Sequence, residues 1–371
     1  MLLQLKKSLE LDIQQIREVN ELDFIELIND GISRGASDIH ITVGIPIIYR
    51  IDGKLVKIGE EILKPATTEE IVRAILNDRQ ISELIDKGEI DTSFSSPGIG
   101  RFRINIYKQR GSYALAIRII PLTIPSMEEL GLPNIIKDLC KLPRGLILIT
   151  GPTGSGKSTT LASMIDSINS ERNSHILTLE DPIEYLHRHN KSIVNQREVG
   201  NDSLSFANSL RAALRQDPDV ILVGEMRDLE TISIALTAAE TGHLVLSTLH
   251  TLGAAKTIDR IIDVFPPYQQ QQIRIQFSSV IQAIVSQQLL PKADGKGRVA
   301  AFEVMIATSA IRNLIREEKS HQIDTAIQTG AKFGMQTMDS SLLSLYKKGL
   351  ISGEMALSQS VNPDIIRNYV L

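Results

Sequence analysis

Hydrophobic spacing gives the chain three successive rhythms. From residue 2 to 34, apolar positions recur at helical spacing. Leu2, Leu5, Leu9, Ile13 and Ile16 form one stripe, and Phe24, Leu27 and Ile28 continue it. After Gly35 the period shortens to two. Ile39–Val43 and Ile47–Ile51 alternate as strands do, and Asp52-Gly53 supplies a hairpin turn into Lys54–Ile58. Thr67 and Glu70 stand at capping-box spacing and predict a helix from there through Leu76. Further strands are expected at Ile90–Phe94, Arg101–Tyr107 and Tyr113–Ile120. Residues 21–120 thus read as an α+β domain, with residues 1–20 as an additional amphipathic helix ahead of it.

Pro121, Pro125 and Pro133 break the pattern, so residues 121–133 are expected to be a semi-rigid linker. Beyond it, apolar strand-like runs alternate with helical stretches: Leu146–Ile149, Ile176–Leu179, Val220–Val223 and Leu244–Leu246. Apolarity on both faces marks strands buried on both sides, so residues 134–371 predict an α/β domain with a mostly parallel sheet. From Ala310 only helical patterns remain, giving a helical part over residues 310–371.

Composition changes this picture little. Hydrophobic residues are 42% and charged residues 23%, as in ordinary globular chains. A net charge of −4 and 4% aromatics argue against a nucleic-acid partner. No apolar run reaches membrane-span length, and the first residues lack a signal peptide, which together point to the cytoplasm. The one cysteine, Cys140, excludes an internal disulfide or a cysteine zinc cluster and reads as inert packing.

The candidate chemistry collects at the carboxyl ends of the predicted strands, where ligands bind in open α/β sheets. The first strand runs into Gly151-Pro152-Thr153-Gly154-Ser155-Gly156-Lys157-Ser158-Thr159, which fills the phosphate-loop pattern between a strand and a helix. Glycines let the backbone approach the anion and free N–H groups point at it. Lys157 is expected on the outer phosphates of ATP and the Ser158 hydroxyl on Mg²⁺. The second strand ends in Glu180-Asp181-Pro182-Ile183-Glu184. Glu180 is a candidate for Mg²⁺ or its water, and a turn cluster before Pro182 is the alternative for these acids. The third strand ends in Gly224-Glu225, with glycine where an aspartate is usual, leaving Glu225 for the metal's water or the attacking water. Arg227 reads as structural or interfacial. His243 and His250 bracket the fourth strand, and a histidine just past a strand tip can contact the γ-phosphate region. Arg101, Arg103, Arg110 and Arg118 lie on adjacent strands of the first domain, either as a solvated basic face or as arginines donated to a phosphate.

Together these strings resemble the secretion ATPases of type IV pili and type II secretion. Gly35-Ala36-Ser37-Asp38-Ile39-His40 resembles the start of the family's PAS-like domain. Residues 151–159, 178–185, 217–228 and 241–251 resemble its Walker A, Asp-box, Walker B and His-box segments. Ala310-Ile311-Arg312-Asn313-Leu314-Ile315-Arg316-Glu317 is similar to the motif of the retraction ATPases, and the chain lacks the four cysteines of the assembly and type II enzymes. The resemblance implies a RecA-like P-loop domain, a homohexamer with ATP and Mg²⁺ between subunits, and pilus machinery reached through an inner-membrane platform protein. It implies Glu225 as catalytic glutamate, Glu180 on Mg²⁺ or water, His250 near the γ-phosphate, and Arg103 and Arg118 donated from the first domain. Competing readings are an assembly or type II secretion ATPase, an accessory retraction paralogue, a nucleotide-gated scaffold with little turnover, and a nucleic-acid translocase.

Overall fold

The computed structural model describes residues 24–370 apart from 52, 97, 98, 121 and 122. The helix expected over residues 1–20 lies outside the described residues. The chain divides into two compact units, one up to Thr123 and the other from Ile124.

In the first unit, helix α1 (residues 24–33) precedes β1 (Ala36–Ile41), β2 (Ile47–Ile51) and β3 (Lys54–Ile58). Two helices follow, α2 (Pro65–Ile75) and α3 (Asp78–Lys87), then β4 (Glu89–Ser96), β5 (Gly100–Gln109) and β6 (Ser112–Ile120). The six strands form one antiparallel sheet in the order β3-β2-β1-β6-β5-β4. Period-two alternation sorts its faces. Phe102, Ile104 and Ile106 of β5 enter a core with Phe24, Ile28 and Leu84 from the helices, while Arg101, Arg103 and Asn105 take the other face. The capping box expected at Thr67 and Glu70 does not form. Helix α2 begins at Pro65, whose fixed φ and missing N–H suit a first helical turn, and its N-cap Lys64 makes no side-chain bond. The capping box lies instead at Asn77 and Gln80 and opens α3, which was not anticipated.

In the second unit, α4 (Ile135–Cys140) leads into β7 (Gly145–Thr150), α5 (Lys157–Glu171), β8 (His175–Glu180), β9 (Ile193–Glu198), α6 (Phe206–Ala213), β10 (Val220–Val223), α7 (Leu229–Glu240) and β11 (Leu244–Leu249). Helices α8 (Ala254–Asp263) and α9 (Pro267–Val280) then give way to β12 (Ile281–Pro291) and β13 (Arg298–Ile306). The sheet order is β13-β12-β7-β11-β10-β8-β9, parallel except for β13. Leu146 and Leu148 of β7 face one core and Ile147 and Ile149 the other, which is why this strand is apolar throughout.

Strands β9, β12 and β13 escaped the hydrophobic pattern. β9 is an edge strand whose sequence, Ile193-Val194-Asn195-Gln196-Arg197-Glu198, is mostly polar. β12 follows α9 directly, with no turn residue to announce it, and carries Ser286, Gln287 and Gln288 in its interior. Met127 is buried in the second unit's core, so much of the stretch expected as a linker is anchored there. Among the described residues five α-helices follow, with short 3-10 turns at Ser320–Gln322 and Ala331–Phe333: α10 (Ser309–Arg316), α11 (Ile323–Gln328), α12 (Met338–Lys347), α13 (Gly353–Gln359) and α14 (Pro363–Val370). Cys140 is buried, and burial pushes its thiol up to about 12, in keeping with a packing role.

Candidate active site

Residues 151–156 leave β7 and enter α5 at Lys157. Gly156, the N-cap, has φ 90° and makes no side-chain bond, so the first N–H groups of α5 remain open to an anion. Gly151 has φ 144°, and a Cβ there would collide with the Gln287 carbonyl of β12. The loop is thus pressed onto the sheet as only glycine permits. Pro152, Thr153 and Gly154 are exposed, whereas Ser155 is buried with a hydroxyl that has no hydrogen-bond partner. Lys157 is buried, and its Nζ donates to the carbonyls of Gly151 at 2.9 Å and Pro152 at 3.0 Å. Burial pushes the ammonium's pKa down, and the charges of Glu225 and Glu184 oppose that shift. An orphaned hydroxyl and a desolvated ammonium beside open amides suit a phosphate. Ser158 is exposed at the start of α5. The Thr159 hydroxyl meets Tyr185 Oη at 3.0 Å, tying the helix to the loop after β8.

Glu180 closes β8. Its carboxylate accepts from Thr178 Oγ1 at 2.6 Å and Gln196 Nε2 at 3.1 Å. Burial raises its carboxyl's pKa against these two donors. Glu225 lies just past the tip of β10. Its Oε1 is 2.7 Å from Arg227 Nε and its Oε2 is 3.3 Å from His250 Nε2, beyond the tip of β11. The structure therefore joins Glu225 and His250 directly. It also makes Arg227 a partner of Glu225, where the sequence alone read it as structural or interfacial.

Gly224, where an aspartate is usual, stands in a tight place between strand tips. A Cβ there would lie 3.2 Å from the Leu179 carbonyl, and the Gly224 N–H donates to that same carbonyl at 2.7 Å. The tips of β8 and β10 are close enough that a side chain here would make its neighbours give by a few tenths of an ångström.

His243 is not brought to this site. It precedes β11, at the opposite end from His250, and its Nδ1 lies 2.9 Å from the Ala238 carbonyl near the end of α7. Arg103 and Arg118 belong to the first unit, where they are direct cross-strand partners. Arg118 Nε donates to Asp38 Oδ1 at 3.0 Å, which offsets the repulsion of facing like charges. Burial alone would raise the Asp38 carboxyl, but the Ser37 hydroxyl and Arg118 together bring it below its ordinary value.

Comparison with known proteins gives these strand tips a context. The sequence profile of the type II/IV secretion system protein family matches residues 16–350. The chain belongs to this family. It is 50% identical to the type IV pilus retraction ATPase PilT of Pseudomonas aeruginosa over 343 residues, covering 92% of this chain and 99% of that one. It is also 50% identical to a twitching motility protein of Neisseria gonorrhoeae, over 85% of each chain. The crystal structure of the pilus retraction motor PilT with bound ADP superposes with a TM-score of 0.87 at 51% identity, covering 93% of this chain and 98% of that one. As a type II/IV secretion ATPase, the chain hydrolyses ATP on a RecA-like domain.

The sequence reading missed Gln196, which links Glu180 to the Tyr185 carbonyl at 2.8 Å, and the polar residues inside β12. The signal for both was polar side chains within strands, visible only once those strands are recognised.

Proposed function

We propose that this secretion ATPase powers retraction of a type IV pilus, working as a homohexameric ring with nucleotide between neighbouring subunits. The observation that carries the reading is its match to a retraction ATPase across 99% of that relative's length. Glu225 is the general base for the attacking water, and Arg227 and His250 fix both of its oxygens. Lys157 and the amides of residues 154–158 bind the phosphates. Mg²⁺, a hard cation preferring oxygen, would be held by the Ser158 hydroxyl with the Glu180 carboxylate, directly or through water, and would supply charge neutralisation on the phosphates. Arg103 and Arg118 are the arginines donated by a neighbouring subunit.

Binding and release of nucleotide move the two units of each subunit and turn ATP hydrolysis into steps at the ring's centre. An inner-membrane platform protein of the pilus machinery receives that motion, so the ring works at the cytoplasmic face of the membrane. Among the described residues no helix is long and apolar enough to cross it. The exposed part of α10 contacts the machinery.

Two measurements test this. Lys157→Ala should abolish ATP turnover, and retained turnover would remove the site assignment. Cells lacking the gene should be heavily piliated and non-motile. Bald cells would mean assembly instead of retraction.

A further inference from the structure

β12 neighbours β7 and is apolar along most of its length, yet its middle buries Ser286, Gln287 and Gln288 at 0%, 3% and 5% exposure. A buried amide is costly unless both of its ends are satisfied. Gln287 is satisfied entirely by the phosphate loop and its helix. Its Nε2 donates to the Ser155 carbonyl at 2.7 Å, and its Oε1 accepts from the Thr160 hydroxyl at 2.8 Å. Its backbone carbonyl is the group against which Gly151 packs, and a Cβ on Gly156 would come within 2.8 Å of its Nε2. One residue of a strand distant in sequence therefore meets the loop at its beginning and at its end, and the helix in its first turn.

We propose that Gln287 is a positioning residue for nucleotide binding, holding the phosphate loop in its anion-binding conformation through the Ser155 carbonyl. The reason is peptide geometry. Ser155 C=O and Gly156 N–H belong to one planar trans unit and point in opposite directions. Drawing the carbonyl back toward β12 turns the Gly156 N–H away from the sheet, toward the side where the phosphates lie. The Thr160 bond holds the same amide against α5, so the loop apex and the helix keep a fixed spacing. Without the amide donor, the Ser155–Gly156 peptide loses the bond that selects this orientation. The inference rests on the ATPase site and is independent of the direction in which the motor works.

The test uses purified full-length protein and a fluorescent ADP analogue, with ATP turnover in parallel. Gln287→Leu keeps the bulk and removes the amide. Its nucleotide affinity should fall by about tenfold to a hundredfold, since a charged ligand then meets a misoriented loop. KM should rise with it, while kcat at saturating ATP stays within about threefold. Gln287→Glu adds a signature that packing alone would not produce. A protonated carboxyl can donate to Ser155 and accept from Thr160 as the amide does, whereas a carboxylate has no donor. The ratio of variant to wild-type affinity should therefore be near one in acid and fall at least tenfold as pH rises through the carboxyl's titration. Taking the ratio at each pH cancels the nucleotide's own ionisation. Wild-type affinity in Gln287→Leu, or a pH-independent ratio in Gln287→Glu, would overturn the proposal. Should the leucine variant fail to fold, the pH dependence of Gln287→Glu decides alone.

Discussion

Glu225 is held at both oxygens, by an arginine that is 71% exposed and a histidine that is 44% exposed. Exposed pairs add little to stability, so this clamp matters through the orientation of the carboxylate. Glu225→Gln should retain nucleotide binding and lose about 10² to 10⁴ in turnover, the range for a positioned general base; phosphate release and ADP titration measure the two separately. Glu180 makes a different prediction. Burial raises its folded pKa, so its stabilising contribution is complete in acid and is lost as pH rises through that pKa. Melting midpoints of nucleotide-free protein should show Glu180→Gln gaining on wild type as pH climbs from about 4, near the ordinary glutamate value. A gap that is flat with pH would contradict this assignment. Most of this site was legible because each acid follows an apolar run that can only be a buried strand. Arg227 was not, since a side-chain pairing across two residues leaves no periodic trace. His243 misled because a strand bracketed by histidines presents both ends alike in sequence, while the phosphate loop and Glu225 gather at the carboxyl ends.

Helix α10 separates into two faces. Ile311 and Ile315 are buried in the core at 0% and 1% exposure, and Leu314 packs partly against it. Arg312 is also turned inward: its Nη1 donates to the carbonyls of Ser278 at 2.6 Å and Ser279 at 2.8 Å, at the end of α9. It thereby satisfies acceptors that a helix terminus leaves open. What remains exposed for a partner is Ser309, Ala310, Asn313, Arg316 and Glu317. Ile315→Ala should therefore cost about 2–5 kcal/mol of stability, as large-to-small changes in a core do, and would report on folding more than on coupling. Asn313→Ala with Arg316→Ala should shift stability by no more than about 0.5 kcal/mol and leave ATP turnover intact. If α10 couples the motor to the pilus, twitching stops in that variant; normal twitching would dismiss the coupling role. Helical period alone placed α10 correctly, yet which residues of its motif are inward depends on α9, far away in sequence. The same limit hid β12, whereas α3 carried its local signs, a capping box at Asn77 and a glycine at 88. Local patterns announce an element when turns and caps bound it, and β12 begins without either.

The two units differ in how their sheets are used. The first keeps one polar face, on which Ser93, Arg103, Arg118, Asp38 and Arg50 stand in one cross-strand row. If Arg103 and Arg118 serve a neighbour's nucleotide, the deficit can be complemented. Rings mixed from Lys157→Ala chains and Arg103→Ala, Arg118→Ala chains contain some interfaces with every group intact, and should recover turnover that neither parent ring shows. Turnover no greater than the weighted sum of the parents would place the arginines outside catalysis between subunits. The second unit's sheet, covered on both faces, has its own history during synthesis. β7 is made early and β12 late, and Gln287 follows Ser155 by 132 residues. At about 5–20 residues per second on the ribosome, that separation lasts roughly 7 to 26 seconds. For that interval the nascent phosphate loop exists without the strand it rests on. Arrest of translation before residue 287 should yield chains that carry the whole Walker A sequence and still fail to retain nucleotide.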